Sequence, residues 1–517
     1  MNKNRVCSHT GGRARKNLDK RAVIPHNGVM SNYFYNLISR EERLALPFVS
    51  TTNKMLARSF FQFADRVALR DGERVYTYQQ LREVLANKRH TLYSAGVRKG
   101  DTVGVLLRPS LEQAVWVLAV LSAGATLVTF PSMTDEAHLL AGVRKFEMRL
   151  LVSSKDYPFA REAAPLYLDV LAKSEGSAPM AKQRGKERAV IIFTGGTTGD
   201  PKGAVLSHHA LMRGALNGIF VPHGEKTVFA TALPFSHVLG LVRSLLTPLF
   251  MGAENYISNP FALLRDCSRA RPTIMVLVPG LADVLLAAAG RNPAVLGDRL
   301  ECILCGGAPV PRRISEGFEG IGVHMYTGYG MTESANSISA GLTPLLNNNS
   351  VGRLYPKQRL RFRNGEIQLK GDNLFEGYYR DKEATKKSYT RGGWFRTGDV
   401  GYMDKDGHLH ITGRIKNIIL LPNGENIYPE EIEESFNENP SVRDCMACED
   451  TVNGEPVIAL EILPAAVMAD KTLEELYAIY SSMIDRFNRS QPSTKKIGKL
   501  KIRTEDFERS ISMKIKR

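Results

Sequence analysis

Between Val67 and Tyr326 the chain repeats one pattern, a short apolar run followed by a stretch of helical periodicity. The runs are Thr102–Leu107, Leu150–Ser153, Val190–Phe193, Val228–Ala232, Thr273–Val278, Leu300–Leu304 and Val323–Tyr326, and each reads as a strand. The stretches between them include helices over Leu111–Ser122 and Ser207–Gly218, the second with Ser207 as its N-cap. Strands alternating with helices predict a doubly wound α/β architecture. At 517 residues the chain exceeds what one hydrophobic core can serve, so two or three domains are expected.

The texture changes after Val351. Gly365–Lys370 and His408–Thr412 alternate polar and apolar residues and are joined by turns such as Asp404-Lys-Asp-Gly407, which predicts an antiparallel β region of β-barrel type. Beyond Gly413, Pro429 opens a helix with Glu430, Glu431 and Glu433 in its first turns, where acidic residues suit the helix dipole. Thr472-x-x-Glu475 reads as a capping box for a helix whose apolar face is Leu473, Leu476, Tyr480, Ile484 and Phe487. The expected division is a basic, disordered extension over 1–30, a large N-terminal domain over 31–413 and a small α+β domain over 414–517.

The net charge of +16 suits a polyanionic partner, whether a nucleotide, an acidic carrier protein or nucleic acid. Residues 482–517 hold eleven Lys or Arg against four Asp or Glu, but no nucleic-acid motif accompanies them, so no nucleic-acid partner is expected. Cys302-x-x-Cys305 and Cys445-x-x-Cys448 stand about 140 residues apart. Cys302 and Cys305 fall on a strand whose odd spacing turns them to opposite faces, which argues for buried thiols rather than zinc ligands. The uncharged run from Gln113 to Met133 is broken at Ser122-Ala-Gly124 and at Pro131, so a buried helix and a strand are expected there rather than a membrane span. With no secretory signal visible, a cytoplasmic location is expected.

After the strand Val190–Phe193 comes Thr194-Gly-Gly-Thr-Thr-Gly-Asp-Pro-Lys-Gly203. Glycines let backbone N–H groups converge on phosphate oxygens, while threonine hydroxyls and a lysine add donors and charge. A Walker-type loop ends in Gly-Lys-Ser/Thr, whereas Pro201-Lys202-Gly203 stands here, which argues against a Walker NTPase.

With this loop the chain resembles the adenylate-forming enzymes: acyl-CoA synthetases, aryl-CoA ligases, luciferases and peptide-synthetase adenylation domains. The resemblance runs over roughly residues 50 to 517. It is carried further by Leu233-Pro-Phe-Ser-His237, Gly306-Gly-Ala-Pro309, Gly328-Tyr-Gly-Met-Thr-Glu333, Trp394-Phe-Arg-Thr-Gly-Asp399 with Gly413-Arg414, and Asn423–Glu431, in the family's order. It implies activation of a carboxylic acid by ATP and Mg²⁺ to an acyl-adenylate, then transfer to a thiol. Thr194, Gly195, Gly196, Thr197, Thr198, Gly199 and Lys202 would hold the pyrophosphate end. Thr332 would touch the α-phosphate and Glu333 the metal. Asp399 and Arg414 would hold the ribose. Gly306, Gly307, Ala308, Gly328, Tyr329, Gly330 and Met331 would form the adenine slot and its surroundings.

The same resemblance places His237, Val238, Gly240 and Leu241 at the acid pocket, a hinge at Lys416, a thiol tunnel at Gly424 and a catalytic lysine at Lys514. The sequence departs from the family's pattern at Gly195, Leu420, Glu508 and Met513, where Ser, Lys, Pro and Gly are usual. No acidic residue lies between Glu225 and Glu254, whereas amino-acid-activating relatives place an Asp there. An uncharged acyl or aryl acid therefore fits better than an amino acid. Arg243 is expected on a solvated helix face, with pairing to a second substrate carboxylate as the other reading. The acceptor is expected in trans, with coenzyme A the simplest choice and a free-standing acyl carrier protein the alternative.

Overall fold

A strand with no polar residue must be covered on both faces, and the fold meets that demand with two stacked sheets sharing helices. The structure is a computed structural model that describes residues 48–155, 167–172, 174–194, 202–218, 227–342, 350–420, 426–492, 495–508, 515 and 517. The extension expected over 1–30 lies outside them.

One sheet has seven strands, in the order Gly377–Tyr378, Lys202–Ser207, Arg188–Thr194, Thr126–Thr129, Thr102–Leu106, Met148–Ser153 and Tyr167–Asp169. The other has nine, and its parallel centre runs His324–Tyr329, Cys302–Cys305, Ile274–Leu277, Val228–Thr231, Glu254–Ile257 and Val67–Arg70. The nine-stranded sheet ends in antiparallel strands on both sides, and the seven-stranded sheet on one side. The helix Leu111–Ser122, expected from the sequence with those same bounds, lies in the core that joins the two sheets. Only Glu112 of its residues escapes full burial, and its carboxylate meets Arg74 at 3.0 Å and Lys88 at 3.1 Å. No helix among the described residues is long and apolar enough to cross a membrane.

All seven expected strands are present, within a few residues of their expected bounds. Two that escaped the pattern are instructive. Glu254–Ile257 carries Asn255, a polar residue that is fully buried and whose amide nitrogen donates to Ser244 O at 2.6 Å. Lys202–Ser207 begins inside the phosphate-loop string and pairs back on Arg188–Thr194, so the loop closes a hairpin. Cys302 joins the core between the sheets and Cys305 the core on the opposite face, as their odd spacing requires.

The region after Val351 is a four-stranded antiparallel sheet, ordered Arg359–Arg363, Glu366–Lys370, Phe395–Met403 and Leu409–Arg414. Farther on, Val442–Val452, Glu455–Pro464 and Ile497–Ile502 form a three-stranded sheet with a core of its own, covered by the helices Pro429–Asn437 and Leu473–Ser490. Thr472 and Glu475 make the expected capping box. Leu473, expected on the apolar face, is exposed instead: it stands at N1, where the helix has not yet turned onto the sheet. The lysines of the last strand and the arginine just past it are locally paired, with Lys499 and Lys501 on Asp450 at 2.9 and 2.8 Å and Arg503 on Glu461 at 2.7 Å.

Candidate active site

The Gly/Thr-rich loop is held at its two ends by a register pair. Thr194 and Lys202 face each other across the last rung of the antiparallel hairpin, and the Thr194 hydroxyl reaches Lys202 O at 3.4 Å. Gly195, Gly196, Thr197, Thr198 and Gly199 lie between them, outside the described residues.

Glu333 stands in the tight turn Thr332–Ser334 and is buried. Burial pushes its pKa up, against the hydrogen bond it accepts from the Tyr378 hydroxyl at 2.8 Å. Lys202 Nζ lies 5.4 Å from the centre of the Tyr378 ring, so one tyrosine bridges the loop lysine and the buried carboxylate. Tyr378 was not legible as a site residue, because Gly377-Tyr-Tyr carries no chemistry until the fold sets it against Glu333. The turn needs its glycine. A Cβ on Gly330 would stand 2.5 Å from the carbonyl carbon of Asn336, in a segment where Ala335 and Asn336 already adopt left-handed φ of 46° and 58°. Gly330→Ala is therefore expected to displace Thr332 and Glu333, lowering stability by about 1–3 kcal/mol and activity by at least tenfold. Denaturant unfolding and ATP–pyrophosphate exchange on the same preparation check this; wild-type exchange would show that the turn is free to shift.

Asp399 and Arg414 are 15 residues apart because they sit opposite each other on the hairpin of Phe395–Met403 and Leu409–Arg414. Arg414 Nε meets Asp399 Oδ1 at 2.6 Å. The Tyr329 hydroxyl, from the end of His324–Tyr329 in the nine-stranded sheet, donates to the other carboxylate oxygen. Burial works against the Arg414 charge, but Asp399 and Tyr329 beside it leave its pKa above the ordinary value. Lys416 follows on an exposed turn, its pKa lowered by partial burial and by Arg414.

Gly306 and Gly307 follow Cys302–Cys305 directly. A Cβ on Gly306 would approach Gly328 O to 3.9 Å, so the two glycine motifs adjoin. Gly307 adopts φ 90°, and a Cβ there would lie 3.8 Å from a methyl of Leu239. The nucleotide motifs thus border the acid segment. Ala308 is exposed at that edge, and Met331 is half-buried beside the turn. In the acid segment Val238, Gly240 and Leu241 are buried and His237 is half-buried, with His237 O accepting from Leu241 N at 2.9 Å. A side chain at Gly240 would overlap Pro234 O. Leu239–Leu246 is π-helical, a form common at functional sites. Arg243 departs from expectation: it is buried, not solvated, and its terminal nitrogens are engaged by protein acceptors. Gly424 and Lys514 lie outside the described residues.

With that geometry in place, comparison assigns the class. The model of the AMP-binding enzymes matches residues 56–379, and that of the AMP-binding enzyme C-terminal domain matches 416–517. The chain belongs to this family of AMP-forming ligases, which use ATP to activate a carboxylic acid as an acyl-adenylate. Among its relatives is the 2-succinylbenzoate–CoA ligase of Geobacillus sp. (strain WCH70), 31% identical over 410 residues that cover 74% of this chain and 81% of that one. The same-named enzyme of Geobacillus kaustophilus (strain HTA426) is 30% identical over 421 residues, 77% of this chain and 84% of its own. The fold matches o-succinylbenzoate CoA synthetase from Bacillus subtilis in complex with its acyl-adenylate intermediate, with TM-score 0.77, 24% identity and coverage of 89% and 96%. It also matches the anthranilate CoA ligase AuaEII in complex with anthranoyl-AMP, with TM-score 0.82, 19% identity and coverage of 92% and 97%.

Proposed function

We propose that this chain is an aryl-acid–coenzyme A ligase. The observation that carries this reading is the border between the acidic-residue-free segment 235–246 and the glycine motif at Gly307. An acid lying along that segment would present its carboxylate to the α-phosphorus of ATP. The names of the relatives, two of which act on 2-succinylbenzoate, favour an aryl acid over a fatty acid.

In the first step a carboxylate oxygen attacks the α-phosphorus, the bond to the bridging oxygen of the β-phosphate breaks, and pyrophosphate leaves. Two anions meet, so cations and N–H donors must be aimed at the transferring group. Lys202, with the loop between it and Thr194, would hold the pyrophosphate end; Thr332 would meet the α-phosphate. Asp399 would accept the ribose hydroxyls, with Arg414 and Tyr329 fixing its orientation. Lys514 would bridge the carboxylate and the phosphate.

Glu333 fits a metal: it is a buried carboxylate whose hydrogen-bond partner here, Tyr378, is neutral. Glu333 would supply a carboxylate oxygen to Mg²⁺, an ion that prefers oxygen ligands. When bound, the ion would neutralise charge on the phosphates. In the second step the thiol of coenzyme A attacks the acyl carbon, AMP leaves with the electron pair of the broken acyl–phosphate bond, and the thiol proton passes to solvent. The part beyond 413 would turn at Lys416 between the steps, bringing Gly424 to the thiol path. The five described cysteines are free, and four are buried, which supports a reducing, cytoplasmic setting.

ATP–pyrophosphate exchange across fatty, aryl and amino acids, 2-succinylbenzoate included, tests the substrate. Exchange should be strongest with an aryl acid and need Mg²⁺. Strong exchange with an α-amino acid and none with aryl acids would contradict the reading.

A further inference from the structure

Arg243 has no part in the chemistry above, yet it is only 5% exposed, within the π-helical Leu239–Leu246 of the acid segment. A buried guanidinium usually faces a carboxylate. Here all four acceptors of its terminal nitrogens are neutral. Nη1 donates to Gly214 O at 2.8 Å; Nη2 donates to Ser337 Oγ at 2.7 Å, Asn336 O at 3.1 Å and the Tyr355 hydroxyl at 3.3 Å. These bonds commit the fork to the protein and leave it no free face for a substrate carboxylate.

Two of those acceptors, Asn336 and Ser337, follow immediately on the turn that carries Thr332 and Glu333. That segment is strained: Ala335 and Asn336 hold left-handed φ without being glycine, and such residues persist only where their surroundings over-determine them. Three buried or half-buried side chains do so. The Asn373 amide donates to Ser334 O at 2.7 Å and Ser337 O at 2.5 Å, and the Gln358 amide donates to Ser337 O at 2.5 Å. Asn373 and Gln358 come from neighbouring loops; Arg243 alone of the three comes from the acid segment. Its planar fork spans helix His208–Asn217, the acid segment and the strained turn at once, a bridge that a lysine ammonium cannot make. Two glycines leave room for it. A Cβ on Gly218 would collide with Nη1, and one on Gly214 would stand 2.6 Å from Ala335 O.

We propose that Arg243 is a positioning residue that locks the acid-pocket helix to the turn bearing Thr332 and Glu333, holding the bound acid in register with the α-phosphorus. The proposal rests on the adenylation reading of the site. Loss of the lock would leave both substrates bound but misaligned, and a misplacement near 1 Å costs on the order of 10²-fold in rate.

The test uses the full chain with the best acid of the panel and three variants, Arg243→Met, Arg243→Lys and Ser337→Ala. Pyrophosphate exchange and thioester formation from supplied acyl-adenylate and coenzyme A are measured separately. Both arginine variants should lower the exchange kcat by about 10–100-fold, with KM for ATP and the second half-reaction little changed. Ser337→Ala, which keeps the charge, should shift exchange in the same direction by less, and carries the test if an arginine variant fails to fold. Equal loss in both half-reactions would overturn the proposal in favour of a merely structural role. An effect confined to KM for the acid would overturn it in favour of direct substrate contact. Wild-type chain that exchanges with no acid would instead remove the adenylation reading beneath it.

Discussion

Lys514→Ala is expected to collapse adenylation by about 10²–10³-fold while leaving thioester formation from a supplied acyl-adenylate intact. In the proposed role the lysine charge would be needed while a carboxylate oxygen approaches an anionic phosphate, and not once the adenylate exists. Loss of one donor of that kind removes about 3–4 kcal/mol of transition-state stabilisation. Gly424→Leu should show the reverse pattern, because a side chain in the thiol path proposed for that segment would leave the first step untouched. The two half-reactions, measured separately by pyrophosphate exchange and by thioester formation, check both. Intact adenylation in Lys514→Ala would mean that Glu508 and Met513 accompany a tail without a catalytic lysine.

Asp399→Asn should behave differently, impairing both half-reactions together. The Asp399 side chain is 3% exposed and holds Arg414 on one oxygen and Tyr329 on the other. An amide keeps the shape but accepts weakly and turns a donor toward Arg414 or Tyr329. If Asp399 holds the ribose as proposed, weakening two charge-assisted hydrogen bonds to it, at about 1.5 kcal/mol each, should raise KM for ATP by roughly 10²-fold. Because AMP remains part of the adenylate, the second step loses affinity as well. Stability should fall too, toward about 3 kcal/mol, the lower end for a broken buried pair because Arg414 is partly exposed. Titration calorimetry with ATP and a denaturant melt would measure both; unchanged ATP affinity would remove Asp399 from the ribose site.

The strands of the large sheets were legible because burial leaves them mostly apolar, with small residues such as Thr102, Thr129 and Thr231 the main exceptions, and the helix Leu111–Ser122 because its breaks are local. Glu254–Ile257 was not, since it buries the polar Asn255, whose amide nitrogen finds its acceptor eleven residues away in sequence. The resemblance implied a ribose role for Asp399 and for Arg414 separately; that the two pair with each other was not legible, and it has a plain structural cause, a hairpin register. Tyr378 and Arg243 illustrate what sequence hides. Tyr378 acquires meaning only when a strand at the edge of the seven-stranded sheet brings it to Glu333. Arg243 looked like a solvated charge because nothing local announces three neutral acceptors more than ninety residues downstream. Polar side chains buried through distant partners defeat pattern reading, whereas apolar periodicity and caps do not.

The central claim is that ATP is cleaved between its α- and β-phosphates with an acid as the attacking group. Its most direct test is the identity of the nucleotide product when ATP labelled at the α-phosphate is incubated with Mg²⁺, an aryl acid and coenzyme A. Labelled AMP is expected in one-to-one ratio with pyrophosphate and thioester, each dependent on the acid. Labelled ADP with release of orthophosphate would contradict it.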